Sequence, residues 1–212
     1  MDAKMKWEAL TESNREKLID KYRHTHTDYE WWDYIEDTLR EDMDEAGVTV
    51  GQMNFCGFWS QGDGAEFTGY IDDWEKFLKA VGKPELTPFA KEHFVRFSWG
   101  NAGHHYYGPH SIDFDVDKLW VDNPGDEGED PVRYMAWEVL YGEGGAMYQN
   151  RESFIEYLRD KMNKLYRDLE QEYEYLTGDE HVTEYLLEYE EEAIDALLQE
   201  QREEEEAEAL QI

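Results

Sequence analysis

Residues 48–71 read VTVGQMNFCGFWSQGDGAEFTGYI, and this stretch decides the fold class. Val48 to Trp59 and Ala65 to Ile71 are rich in β-branched and aromatic residues, a composition typical of strands. The polar segment between them, Ser60 to Gly64, has the glycine and aspartate content of a tight connection. The stretch therefore predicts a β-hairpin.

A second hairpin is predicted further along the chain. Phe94 to Trp99 and Ser111 to Val116 alternate as strands do, and the glycine-rich segment Gly100 to Pro109 connects them. The fold class predicted is α+β, with a small antiparallel sheet packed with helices and followed by acidic C-terminal helices.

Helices are predicted around the hairpins because apolar residues recur there at steps of three and four. The predicted helices begin at Thr11 or Ser13, near Asp28, after Asp72-Asp73, after Pro88, at Pro131 and at Arg151. The last of them runs toward Thr177-Gly178, where a turn is expected. These elements predict a core domain over residues 1–150 and an acidic helical region over residues 151–212, packed on the core or projecting from it.

The C-terminal segment 168–212 carries eighteen Asp or Glu residues and one base, Arg202, so about half of the formal net charge of −32 lies there. Apolar residues persist through it at helical spacing, which predicts an ordered helical surface with one buried face. So much negative charge repels nucleic acid and anionic membranes and attracts basic proteins. Solubility alone is the competing explanation of the charge.

Location is predicted from what the sequence contains. Cys56 is the only cysteine, so no intramolecular disulfide forms. The N-terminal residues lack the apolar core of a signal peptide, and no stretch approaches the roughly 18 apolar residues of a membrane span. A cytoplasmic location is expected.

Two polar segments are candidates for chemistry. Asp63, flanked by glycines and close to Ser60 and Gln61, has the chemistry to ligate a cation, but hydrogen bonding to its own turn is favoured. The other segment offers ligands for a divalent ion at His104, His105, His110, Asp113 and Asp115. Adjacent histidines point to opposite faces of a strand, which favours a purely structural hairpin.

Sequence signatures of enzymes are missing. The chain contains no phosphate-binding loop, no nucleophile elbow and no zinc-binding helix motif. No catalytic residue, cofactor or metal ligand is therefore assigned, and a protein that is not an enzyme is predicted.

The segment Phe55 to Gly69, which reads FCGFWSQGDGAEFTG, and the aromatic run Tyr29 to Asp33 together resemble a family of small bacteriophage proteins. Members share the Gly-Phe-Trp-Ser-Gln-Gly-Asp-Gly-Ala hairpin and a later hairpin rich in His and Tyr, and they often carry an antitoxin label without an established activity. The resemblance covers residues 20–116 and implies a location in the host-cell cytoplasm. It assigns no catalytic residue.

These observations predict a phage-type inhibitor that mimics DNA charge and occludes the nucleic-acid-binding surface of a host defence protein or DNA enzyme. Its partner would be a basic protein, with no direct binding of nucleic acid or membrane, and a homodimer is left open. The predicted partner-binding residues are Asp179, Glu180, Glu184, Glu188, Glu191, Glu192 and Asp195. The alternatives are an antitoxin-like protein that contacts a toxin through Ser60, Gln61 and Asp63, and a metal-dependent hydrolase at the histidine hairpin.

Overall fold

The computed structural model describes residues 2–87, 98–101, 112–113 and 145–210. The elements are α1 (Ala3–Ala9), α2 (Glu12–Tyr22), α3 (Asp33–Glu45), β1 (Val48–Cys56), β2 (Gly64–Ile71), α4 (Trp74–Ala80), a 3₁₀ helix (Pro84–Leu86), β3 (Ser98–Asn101), β4 (Ile112–Asp113), α5 (Ala146–Gln149), α6 (Arg151–Thr177), α7 (Asp179–Tyr189) and α8 (Glu191–Ala209). The strands form one antiparallel sheet in the order β1-β2-β3-β4. The predicted α+β class is confirmed.

The chain divides into two compact units that differ from the predicted division at residue 150. We call residues 1–32 with 170–212 the terminal unit, and residues 33–169 the sheet unit. The N-terminal helices α1 and α2 thus group with the acidic C-terminal helices α7 and α8, and helix α6 runs from one unit into the other.

The predicted first hairpin forms, with Val48 opposite Ile71 and Cys56 opposite Gly64. Strand β1 ends at Cys56 and not at the predicted Trp59. Its ladder is irregular after Val50, where β1 carries a bulge. There the guanidinium of Arg40 donates to the carbonyls of Val50 at 2.6 Å and Gly51 at 2.8 Å. A side chain of α3 thus satisfies carbonyl groups at the irregularity in the strand.

Gly47 and Asp73 close the base of this hairpin. The amide N–H groups of Asp72 and Asp73 donate to the Gly47 carbonyl, and a Cβ at Gly47 would lie 2.2 Å from the Asp73 carbonyl oxygen. Gly47 also has a φ of +73°, so glycine is required there on both counts. The Asp73 carboxylate accepts from the N–H of Lys76 at 3.1 Å, which confirms the predicted cap of α4.

Where the second hairpin was predicted, β3 pairs antiparallel with β4, and Gly100 lies opposite Asp113. Gly100 and Asn101, predicted in the connection, lie in β3, and the rest of the predicted hairpin lies outside the described residues. The predicted helices after Pro88 and at Pro131 lie outside the described residues. Helix α6 supplies much of the core of the sheet unit, since Phe154 contacts Phe77 of α4 with ring centroids 5.6 Å apart. The largest fully buried side chains of this unit include Met43, Phe67, Ile71, Phe77, Leu78, Phe154, Leu158, Met162 and Leu165.

Capping residues define the N-terminal helices of the terminal unit. The Thr11 hydroxyl accepts from the N–H of Asn14 at 3.3 Å, so Thr11 and not Ser13 caps α2. Helix α1, which the sequence analysis did not predict, is capped in the same way by Asp2, which accepts from Met5 at 2.8 Å. The helix predicted to begin near Asp28 begins at Asp33 instead, because turns occupy the residues after α2.

Four apolar residues of the acidic segment are buried in the core of the terminal unit. Its core joins three residues of α1, α2 and their connection to four residues of α7 and α8, namely Trp7, Leu10, Leu18, Val182, Leu186, Ile194 and Leu198. The segment is not one continuous helix, because Gly178 separates α6 from α7 and Glu190 separates α7 from α8. The turn at Thr177-Gly178 is where the sequence predicted it.

Candidate functional site

The N-terminal helices bring to the terminal unit the cations that its acidic helices lack. Six of the chain's 20 Lys and Arg residues lie in residues 1–32, whereas Arg202 is the only one after residue 170. Lys6 of α1 lies between Glu191 and Asp195 of α8, with its Nζ 2.7 Å and 2.6 Å from their carboxylate oxygens. The hydrogen bonds to Asp195 and Glu191 raise the pKa of Lys6, so it stays charged.

A second cation joins the end of α2 to the start of α7. Arg23 donates to the Asp179 carboxylate at 2.7 Å and to the Thr177 carbonyl at 2.7 Å. Arg23 donates hydrogen bonds to Asp20 and to Asp179, and both raise its pKa. The bond to Asp20 has the larger effect. Asp179, Glu191 and Asp195, which the sequence analysis assigned to a partner, therefore already bind cations of their own chain.

All seven predicted partner-binding residues are exposed. We call the four that bind neither Lys6 nor Arg23 the acidic face. Glu180, Glu184 and Glu188 are exposed on α7, and Glu192 is exposed at the start of α8. Among the described residues, no Lys, Arg or His forms an ion pair with any of the four. The three on α7 are four residues apart, which places their Cβ atoms along one side of the helix about 6 Å apart.

The helix that carries the acidic face is fixed from behind. Val182 and Leu186 on α7 are 3% and 0% exposed, so the side opposite the glutamates is packed in the core. Glu190, at the break between α7 and α8, accepts hydrogen bonds from the Tyr22 hydroxyl at 3.0 Å and the Tyr185 hydroxyl at 3.1 Å. The acidic face is therefore held on an ordered scaffold.

Next to the acidic face runs a series of five rings that we call the aromatic row: Tyr175, His181, His26, Tyr185 and Tyr189. Successive ring centroids lie 4.6, 4.8, 4.8 and 5.4 Å apart. Its two end members are exposed, Tyr175 at 58% and Tyr189 at 66%.

The aromatic row was not predicted as a unit. One signal for it was present, because His181, Tyr185 and Tyr189 are spaced by four residues and so share a side of α7. No local signal existed for His26, which comes from the turns after α2 and lies 155 residues away from His181 in the chain. Its Nδ1 is 3.2 Å from the Nε2 of His181.

The surroundings of His26 in the aromatic row lower the pKa of its imidazole. Burial lowers the pKa of His26 below that of an unfolded histidine, and the neighbouring His181 lowers it further. The N···N hydrogen bond needs one donor and one acceptor, whereas two imidazolium rings are both donors.

We expect the terminal unit to become less stable as the pH falls through about 6.5. Below that pH the unfolded chain binds a proton at position 26 while the folded chain does not, so the free energy of unfolding decreases until the pH passes the folded pKa. Urea unfolding at a series of pH values from about 7 to about 5, followed by helix content, measures the decrease. The decrease should be smaller in His26→Gln, and an identical decrease in both proteins would contradict the assignment to His26.

The turn of the first hairpin is braced by its own aspartate, as predicted. The Asp63 carboxylate accepts from the N–H of Ser60 at 2.6 Å, and the N–H of Asp63 donates back to the Ser60 carbonyl at 3.2 Å. Gly57 has a φ of +46°, and a Cβ there would lie 2.8 Å from an Asp63 carboxylate oxygen. Asp63 thus shapes the turn, while Ser60 and Gln61 are exposed at its tip.

The same turn presents a tryptophan to solvent. Trp59 is 62% exposed and has a φ of +70°, a conformation that bulky residues rarely adopt. The preceding Phe58 anchors the turn, since its ring lies 5.7 Å from that of Tyr166 on α6. Trp59, which the sequence analysis did not single out, is the most exposed aromatic residue of this hairpin.

Most of the residues predicted as metal ligands lie outside the described part of the chain. The histidines of the proposed metal hairpin, and Asp115, lie outside the described residues, and Asp113 lies in β4. Within the described ranges no group of three or more His, Cys, Asp or Glu residues is arranged to hold a metal ion. Cys56 is half-buried, and its thiol lies 3.7 Å from the Gly62 carbonyl oxygen. None of the helices in the described part of the chain is long and apolar enough to cross a membrane.

Comparisons with known proteins identify a family and no activity. A search of curated proteins found no match, and neither did a search of solved structures. A family model does match residues 31–179, which is more than half of the chain. The matched range includes the first hairpin and the whole of α6 and ends at the first residue of α7. The chain therefore belongs to the family described as Domain of unknown function (DUF8835).

Proposed function

We propose that this protein is a non-enzymatic inhibitor that presents DNA-like charge to a basic protein and blocks its nucleic-acid-binding surface. The observation that carries the proposal is the acidic face: four exposed glutamates, three of them in line on a helix whose opposite side is buried, with no cation of the described chain paired to them. Fixed carboxylates lose less conformational freedom on binding than those of a disordered tail.

The dimensions support this proposal. Helix α7 has 11 residues and is therefore about 16 Å long, the axial length of roughly five base pairs. Its glutamates are about 6 Å apart, whereas one DNA strand carries a phosphate about every 3.4 Å along the axis. The three glutamates of α7 thus have about half the linear charge density of one DNA strand. Glu192 continues the acidic face onto α8.

Fewer residues are proposed to contact the partner than the seven that were predicted from the sequence. Asp179, Glu191 and Asp195 stabilise the terminal unit by binding Arg23 and Lys6, and each still contributes charge to the surface. Glu180, Glu184, Glu188 and Glu192 are the residues proposed to contact the partner. The partner proposed is a DNA-binding defence protein or DNA enzyme of the host, encountered in its cytoplasm.

A second candidate function rests on the turn of the first hairpin. The rigid turn and the exposed Trp59 give the antitoxin-like alternative a specific contact residue, because tryptophan is enriched among residues that dominate binding energy. In this alternative the hairpin, with Ser60 and Gln61 beside Trp59, would contact a toxin directly.

Capture from host lysate separates the two candidates. Immobilised native chain should retain a basic protein at about 0.1 M salt and release it at about 1 M, where the Debye length falls from about 10 Å to about 3 Å. Trp59→Ala should retain the same protein. Retention that survives high salt and is lost in Trp59→Ala would reject charge mimicry in favour of the hairpin.

A further inference from the structure

The aromatic row lies beside the acidic face on the same helix. Glu184 is three residues after His181, and Glu188 is three residues after Tyr185. Residues three apart on a helix are surface neighbours. A carboxylate therefore lies next to a ring at successive turns of α7, and the row ends in the exposed rings of Tyr175 and Tyr189.

From this arrangement we infer that the acidic face and the aromatic row together select arginine side chains over lysine side chains. The inference rests on the proposed function and narrows its partner to a protein that binds DNA through an arginine-rich segment. The occupant is cationic by charge complementarity, since the chain carries a formal charge of −32. The same charge opposes the docking of a second copy of this chain or of nucleic acid.

Arginine is preferred to lysine because of the shape of its guanidinium group. Arginine is planar, weakly hydrated and able to stack on an aromatic ring while its N–H groups still reach a carboxylate. A lysine ammonium is compact and strongly hydrated, and pairs with a carboxylate as a point charge. A carboxylate alone attracts both cations, whereas a ring beside it adds an interaction that favours arginine.

The ring contacts keep the exposed tyrosines in place for this role. Tyr189 lies 5.4 Å from Tyr185, whose hydroxyl is bound to Glu190, and Tyr175 lies 4.6 Å from His181. His181 in turn contacts His26. Both exposed rings are thus supported on one side by a partly buried neighbour, and much of their surface remains open to solvent.

The test uses the full chain and two defined probes, octa-arginine and octa-lysine peptides, with affinities measured by calorimetry at equal ionic strength. We expect the arginine peptide to bind about 5- to 30-fold more tightly, the effect of two exposed ring contacts. Tyr175→Leu with Tyr189→Leu should remove most of that ratio and leave lysine binding nearly unchanged. Replacement of the same two residues by Phe should keep the ratio, because the rings remain.

A matched control is provided by Tyr29 and Tyr70, which are 59% and 41% exposed and lie outside the aromatic row. Their replacement by Leu should leave the ratio intact. Equal binding of the two peptides to the native chain, or a ratio that survives in the Tyr175/Tyr189 leucine variant, would overturn arginine selection and leave charge mimicry standing. Failure of both peptides to bind would overturn both proposals.

Discussion

Deleting residues 179–212 is expected to unfold α1 and α2. The deletion removes Val182, Leu186, Ile194 and Leu198, which are at most 5% exposed and cover the apolar residues of the N-terminal helices. At about 1.5–3 kcal/mol for each buried side chain, the loss is about 6–12 kcal/mol, which matches the whole stability of a typical domain. Helices of 7 and 11 residues are also too short to persist alone.

Limited proteolysis and circular dichroism measure this effect. The truncated chain should be cleaved within residues 2–32 and should lose more helix than the deleted residues account for. A point variant gives the same information in the full chain: Leu186→Asp should expose the same segment to protease, whereas Ala196→Asp, at an exposed position of α8, should not. Continued protection of residues 2–32 in the truncated chain would contradict the claim that α1 and α2 depend on packing against α7 and α8.

Reversing the charge of Glu180, Glu184 and Glu188 to Lys is expected to weaken partner binding at least about tenfold. Each exposed ion pair contributes about 0.2–1 kcal/mol, and reversal adds repulsion of similar size. The fold should survive, because all three side chains are exposed and Lys is a good helix former. Affinity for the partner captured from lysate, measured at low salt, tests the expectation.

The sheet unit offers a closely matched control. Asp37, Glu41 and Glu45 are exposed on α3 with the same spacing of four residues, so their reversal to Lys makes the same change in net charge. This control variant should bind nearly as well as the native chain. Equal weakening by the two triple variants would mean that net charge matters and the position of the acidic face does not.

Local patterns predicted the elements whose causes are local. The hairpin at 48–71 follows from two β-rich stretches around a turn that Asp63 braces, and α4 begins where Asp73 caps it. The ordered acidic helices follow from the apolar residues within them, such as Val182 and Leu186.

What the sequence did not reveal depends on contacts between distant parts of the chain. Lys6 binds Glu191 and Asp195 across 185 and 189 residues, and nothing near either end signals this pairing. Helix α1 has only seven residues, too few for a clear apolar period, and the break at Glu190 contains neither Gly nor Pro.

The most direct test of charge mimicry is competition with DNA. The protein captured from host lysate is first bound to a short fluorescent duplex, and the chain is then added while fluorescence anisotropy is recorded. The account predicts release of the duplex by the native chain and by the Asp37/Glu41/Glu45 variant, and little release by the Glu180/Glu184/Glu188 variant. Simultaneous binding of the chain and the duplex to the captured protein, with no loss of anisotropy, would contradict it.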